Sequence, residues 1–338
     1  MERTGSELIQ ASRAFAEEDP RRTWRELALT FVAAAAFFAI AAAPMLGPAR
    51  WLGTLGLSLI TVRFFIFFHD ALHGAIFRKN KLGHFIMDLV GWTVLTPRPV
   101  WRDSHNYHHA HTSKMVGSSI GSFPLLSIEM YRAATPSQRF MYRASRHWLT
   151  MAFGYFTVFL WGMCIKPFIM RPRRYWTAPL ALAFHYGCFA AIAYLGGFGL
   201  ALRTHFVPVF VACALGSYMF YAQHTFPGMR LWDRKDWEYT AAALHSSSMM
   251  TMSAPMHWFT GNIGFHHVHH LNSMIPFYRL DEAMNAIPEL QSPRTTSWSP
   301  KEIWTCLRLH LWDGRAERML TFREATEVPA QTTASEGA

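Results

Sequence analysis

Four histidines fall within five positions of the stretch Gly264-Phe265-His266-His267-Val268-His269-His270. Two upstream clusters echo it. His105-Asn106-Tyr107-His108-His109 repeats the H-x-x-H-H spacing, and His69-Asp70-Ala71-Leu72-His73 gives H-x-x-x-H. On a helix, residues three and four apart share a face, so each cluster aims two or three imidazoles in one direction. Neutral imidazole suits iron, zinc, copper and nickel. Three converging clusters offer more donors than one tetrahedral zinc uses, so the count points to two metal ions. A lone histidine is usually structural, and histidine tracts can be metal-scavenging tails. These clusters are instead spaced along the chain, each at the edge of an apolar segment.

The elements that must position them are membrane helices. Of 338 residues, 51% are hydrophobic, 15% aromatic and only 16% charged, against roughly 25% charged in a soluble domain. That balance predicts an all-α polytopic membrane protein. The net charge of +10 fits cytoplasmic Lys and Arg at helix ends, anionic membrane lipids, or an acidic protein partner. Nucleic acid is excluded as a partner, because the basic residues form no stripe with interleaved aromatics. Cys164, Cys188, Cys213 and Cys306 are scattered without C-x-x-C, so neither a thiolate site nor a disulfide framework is expected.

Residues 1–26 are a polar lead with five arginines, not a signal peptide. Spans are expected at about 27–46, 51–68, 178–202 and 206–221, long enough to cross a bilayer at 1.5 Å per residue. They make two hairpins, the second turning at Gly196-Gly197 and Arg203. Arg63 lies inside the second span and must face the protein interior. Phe85–Leu95 is too short to cross and reads as a buried or re-entrant piece. Trp148–Phe168 has basic residues at both ends and reads as interfacial or re-entrant helices. Lys114–Gln138 reads as a loop with an amphipathic helix near Ile128–Ala133. The five arginines of the lead against Arg50 alone in the first turn put both termini and every histidine cluster on the cytoplasmic side. The clusters then form a histidine-rich cap on a membrane domain, 27–290. Residues 291–338 are a cytoplasmic segment that ends, after about Arg315, in a polar mobile tail.

With this topology, His224 ends the fourth span as His69 ends the second, so its ring can meet the same centre. Asp70 points away from the His69/His73 face and suits an acceptor for a ligand N–H. Zinc has no redox cycle. Iron activating dioxygen against a lipid chain fits a histidine-rich pair at a membrane edge, where the protein supplies ligands, a dry tunnel and positioning.

These residues resemble the histidine boxes of the membrane fatty-acid desaturase superfamily. His69-Asp70-Ala71-Leu72-His73-Gly74 is similar to its first box and Ser104-His105-Asn106-Tyr107-His108-His109 to its second. Tyr221-Ala222-Gln223-His224-Thr225-Phe226-Pro227 resembles the Q-H-T-x-P stretch of omega-6 (delta-12) enzymes. Gly261-Asn262-Ile263-Gly264-Phe265 through His270-Leu271, then Ile275-Pro276-Phe277-Tyr278, is similar to bacterial members of that group. The resemblance runs from about 25 to 290. It implies a di-iron centre held by His69, His73, His105, His108, His109, His266, His269 and His270, with His224 a ninth ligand. It leaves His267 off the ligand pattern, grouped with Asp70 behind the ligands, and His111 unassigned. It implies dioxygen-dependent desaturation of an acyl-lipid or acyl-thioester substrate. The two electrons would come from a separate ferredoxin or cytochrome b5, since no H-P-G-G and no G-x-G-x-x-G segment is present. Two other readings stay open: a di-iron hydroxylase or ketolase on an alkane, carotenoid or sterol-type lipid, and a non-catalytic membrane metal-binding protein.

Overall fold

The structure, a computed structural model, describes residues 3–329; residues 1 and 2 of the lead and 330–338 of the expected tail lie outside the described residues. The chain is an all-α polytopic membrane fold with a few short strands. After α1 (Gly5–Ser12), α2 (Pro20–Ala42) starts where Asp19 accepts hydrogen bonds from the Arg21 and Arg22 amides, with Pro20 preset for the first turn. α2 pairs with α3 (Arg50–His73), and the approach is close. A side chain at Gly53 would collide with the Ala41 backbone, and one at Gly56 with the Phe37 ring. Small residues let helices meet in lipid this way.

Among the described residues, four helical stretches are long and apolar enough to cross a membrane: Pro20–Ala42, Pro44–His73, Thr177–Gly196 and Phe198–Gln223. They are the four expected spans with shifted ends. The third stops at Gly196 because Gly197 adopts φ +87°, so Arg203 lies within the fourth span instead of at its turn, and donates to the Ala41 carbonyl at 3.2 Å. The outer faces expose Val32, Phe38, Tyr194 and Leu195, as a lipid-facing surface requires. Arg63 is buried. It pairs with Glu26 at 2.7 Å, donates to Thr30 at 2.9 Å and to the Trp258 carbonyl, and lies 4.2 Å from the Trp258 ring.

Between the hairpins come α4 (Lys81–Thr93), capped by Asn80, and α5 (Arg98–His111), launched by Pro97 and Pro99. Then follow α6 (Ile128–Ala133), on the residues expected, α7 (Pro136–Ser145), α8 (Trp148–Ala152), a wide-turn helix over Tyr155–Ile165, and α9 (Lys166–Met170). The Tyr155–Met170 run is shorter than the four spans. The second hairpin is α10 (Thr177–Gly196), α11 (Phe198–Ala201) and α12 (Val207–Gln223).

The cap is completed by α13 (Tyr239–Ser246), α14 (Ala254–Phe259), α15 (His266–Leu271), α16 (Leu280–Ala286) and α17 (Pro300–Arg308). Its core joins Phe67, Phe68 and Met219 from the spans to Phe226, Val268, Leu271 and Phe277. Strands β2 (Met249–Thr251) and β3 (Thr295–Ser297) pair in parallel. The segment after Arg315 differs from the polar tail expected. β1 (Leu126–Ser127) and β4 (Leu311–Asp313) pair in parallel, β4 turns back on β5 (Arg318–Leu320), and α18 (Phe322–Glu327) follows under a Thr321/Glu324 capping box. Leu311, Leu320 and Ala325 find burial there against Ile128 and Tyr142. That apolar surface is supplied by residues nearly two hundred positions away.

Candidate metal centre

Each cluster rides on a helix whose end is fixed. α3 continues without a break until Gly74 takes the left-handed conformation (φ +72°), so His69 and His73 sit at the end of the span itself. α5 carries His105, His108 and His109, and α15 carries His266, His269 and His270, all six buried. His224 ends α12. It is held by its neighbour Gln223, whose Nε2 donates to the Ile263 carbonyl at 2.8 Å and whose carbonyl accepts from the Ser248 amide at 3.0 Å.

The nine rings form two groups. His69, His73, His105, His109 and His269 make one; His108, His224, His266 and His270 make the other. Within each, one nitrogen per residue lies within 4.8 Å of all the others. The division follows from helical spacing. In α5, His105 and His109 (i, i+4) turn to the first group and His108 to the second. In α15, His266 and His270 turn to the second group and His269 to the first. The two H-x-x-H-H helices thus make the same split in opposite senses.

Adjacent Nε2 atoms are 2.9 Å apart for His69–His105, 3.1 Å for His105–His109 and 3.1 Å for His109–His269. In the second group they are 3.0 Å for His108–His224, 2.9 Å for His224–His266 and 3.1 Å for His266–His270. Mutual hydrogen bonds cannot satisfy these contacts. His69 Nδ1 faces the Asp70 carboxylate at 2.9 Å and His224 Nδ1 faces the Ser246 carbonyl at 3.0 Å. Both Nδ1 atoms are therefore donors, and both Nε2 atoms carry bare lone pairs. His105 Nε2 then has one hydrogen for two neighbours, and the His224 lone pair has two donors competing for it. His73 Nε2 is buried with no hydrogen-bond partner among the described residues. Donors about 2.0–2.1 Å from a single ion, at right angles to one another, would stand about 3 Å apart. The residues fit a metal ion in each group.

Burial, then the neighbouring imidazoles, holds His105, His108, His109, His266, His269 and His270 well below the ordinary histidine range, and burial takes His224 down to about 4. Neutral rings are what a metal requires.

Asp70 lies behind His69, its second oxygen accepting from the Phe277 amide at 2.6 Å. His267, grouped with Asp70 from the sequence, faces away from the centre. Its Nε2 meets the Leu290 carbonyl at 3.1 Å and Met284 sulfur at 3.2 Å, since it projects from the opposite side of α15. His111 stacks on Tyr107 with ring centroids 3.9 Å apart, outside both groups. Sequence reasoning passed over Trp101 and Phe220. Trp101 stacks on His105 at 4.8 Å, and Phe220 packs on His108 at 4.9 Å and His224 at 5.4 Å. Each stands four residues before a grouped histidine, and that spacing was the available signal. It also passed over Thr112, four residues after His108, whose hydroxyl lies 3.3 Å from His270 Nδ1.

Comparison with known proteins bears on the family of the chain. Residues 47–300 match the sequence model of the family described as fatty acid desaturase. A "Fatty acid desaturase" of Bacillus subtilis is 29% identical over 334 residues, covering 96% of this chain and 92% of its own length. An "sn-1 oleoyl-lipid 12-desaturase" of Synechocystis is 26% identical over 269 residues, 74% of this chain and 72% of its own. An "sn-1 acyl-lipid omega-3 desaturase (ferredoxin)" of Synechocystis is 25% identical over 280 residues, 78% and 73%. With a family match over most of its length, four helices long and apolar enough to cross a membrane and a histidine-lined cap, this chain belongs to the fatty acid desaturase family of oxidoreductases.

Proposed function

We propose that the chain is a di-iron acyl-lipid desaturase that uses dioxygen and two external electrons to convert an acyl –CH2–CH2– into –CH=CH–. Balanced, the step consumes O2, two electrons and two protons and releases two waters. His69, His73, His105, His109 and His269 would hold one iron, and His108, His224, His266 and His270 the other. The observation that carries the reading is the convergence of nine buried or half-buried imidazoles, in two groups, where the apolar helices end. Iron bound there would supply the oxidising power that an unactivated C–H bond demands.

The chain's own residues do the rest. Trp101 and Phe220 pack on the grouped rings from the apolar side, keep bulk water off them and give an acyl chain a surface to lie on. Asp70 and the Ser246 carbonyl fix the His69 and His224 tautomers. Arg21, Arg22 and Arg25 in the first turns of α2, with Arg78, Lys79 and Lys81 after α3, support a cytoplasmic centre. Relatives named for a lipid-linked oleoyl chain and for ferredoxin support a membrane-lipid substrate and a separate iron–sulfur donor.

The test is expression in a host of known lipid content, followed by fatty-acid methyl ester profiling with double-bond location. A new double bond, absent from His108→Ala, is expected. An added oxygen without a lost hydrogen pair would make the chain a hydroxylase. Bound metal with neither product would make it a metal-binding protein.

A further inference from the structure

The two histidine groups differ in what stands behind their ligands. In the five-histidine group, His69 Nδ1 leads through Asp70 to the buried Phe277 amide. In the four-histidine group, two ligands each lead through one residue to an indole N–H. His270 Nδ1 is 3.3 Å from the Thr112 hydroxyl, and the Thr112 carbonyl accepts from Trp237 Nε1 at 2.9 Å. His224 Nδ1 is 3.0 Å from the Ser246 carbonyl, and the Ser246 hydroxyl is 3.3 Å from Trp232 Nε1. Thr112 and Ser246 are fully enclosed, whereas both indoles are partly exposed. Each indole carries a cation: Lys114 Nζ is 3.7 Å from the Trp237 ring centroid and the Arg230 guanidinium 4.3 Å from that of Trp232. One backbone pairing fixes Trp232 beside the segment that carries Thr112 and Lys114, with Trp232 donating to the Ser113 carbonyl at 2.9 Å and Met115 donating to that of Trp232 at 2.9 Å.

We infer that Trp232 and Trp237 are the electron inlet of the protein, passing electrons from a docked one-electron iron–sulfur protein to the four-histidine group through Ser246 and Thr112. The inference rests on the di-iron reading above. Each route crosses two hydrogen bonds and a few covalent bonds of a single residue, a short path between surface and ligand. A cation against the ring face disfavours an indole radical cation, so the rings act as a tunnelling medium and are not themselves oxidised. In each transfer the reduced iron–sulfur protein loses one electron and the metal centre gains one; two transfers serve one double bond.

The test uses the full-length, iron-loaded enzyme in detergent or nanodiscs, with Trp232→Phe, Trp237→Phe and the double variant. Three quantities are measured without turnover: bound iron, the anaerobic rate at which reduced ferredoxin is oxidised, and the rate of reduction by dithionite, which is small enough not to need a docking path. We expect the double variant to keep its iron and its dithionite rate while ferredoxin oxidation slows at least tenfold, with smaller losses in the single variants. Ferredoxin oxidation within twofold of wild type in the double variant would overturn the route and leave the desaturase reading intact. Equal slowing with ferredoxin and dithionite would also overturn it, since the indoles would then only support the fold around the centre. A wild-type chain that binds no iron and oxidises no ferredoxin would overturn the underlying reading as well.

Discussion

Single histidine deletions should strip metal unequally. The first group has five donors and the second four. His73→Ala leaves His69, His105, His109 and His269, the same number that the intact second group offers. His224→Ala leaves only His108, His266 and His270. Four-ligand structural zinc sites bind their ion by about 10–16 kcal/mol; on that scale one ligand contributes roughly 3–4 kcal/mol, or about 10²–10³ in affinity. The loss should be larger at His224, where no fifth donor remains and the Gln223 and Ser246 contacts serve only that ring. Metal content per chain after gel filtration, by mass spectrometry, should read near two ions for wild type and His73→Ala and near one for His224→Ala. Competition with a chelator of known affinity should give a drop of at least about a hundredfold for the weaker site of His224→Ala. If His73→Ala loses as much metal as His224→Ala, the five-and-four division is refuted.

Other perturbations separate ligands from their neighbours. His269→Ala should abolish desaturation while membrane insertion is retained, whereas His267→Ala should keep substantial activity and lose about 1–3 kcal/mol of stability as the Leu290 carbonyl loses its partner; complete inactivity of His267→Ala at full expression would show the ligand register to be shifted. Glu26→Leu leaves the buried Arg63 charge unpaired and should cost about 3–5 kcal/mol, most of it recovered in Glu26→Leu/Arg63→Met; equal melting of single and double variants in detergent would rule out the ion pair as the cause. His310 lies against the Phe322 ring at 4.3 Å, and burial with nearby arginines holds it at about 3. Its unfolded form titrates near 6.5, so the unfolded chain takes up the proton first. Stability is full above about pH 6.5 and falls as pH drops from there towards 3, by up to about 2 kcal/mol at pH 5 before solvent screening reduces it. Chemical-denaturation midpoints of wild type and His310→Phe at pH 7.5 and 5 should therefore diverge at the lower pH, and parallel midpoints would exclude this role.

Much of the architecture was legible because it depends on local chemistry. Apolar runs near twenty residues announce spans wherever they occur, and the periodicity of the helix decides which imidazoles of H-x-x-H-H share a face. Span ends were less legible: α3 continues through His73 because nothing stops it before Gly74, and α10 stops early because Gly197 takes a positive φ. The strands on either side of Arg315 were illegible, since the surface that buries Leu311 and Leu320 comes from residues near 126–142.

The sequence by itself determined that imidazoles would come in sets, on helices, beside a membrane. Only the tertiary structure decided how the sets are shared: that α5 and α15 face each other so that each gives two rings to one group and one to the other, that His224 completes the smaller group, that His267 turns away, and that two tryptophans stand one residue behind that group. The reason is geometric. Spacing along a helix fixes the angle between neighbouring side chains, but which centre each side chain reaches depends on the crossing of helices whose packing residues lie more than a hundred positions apart.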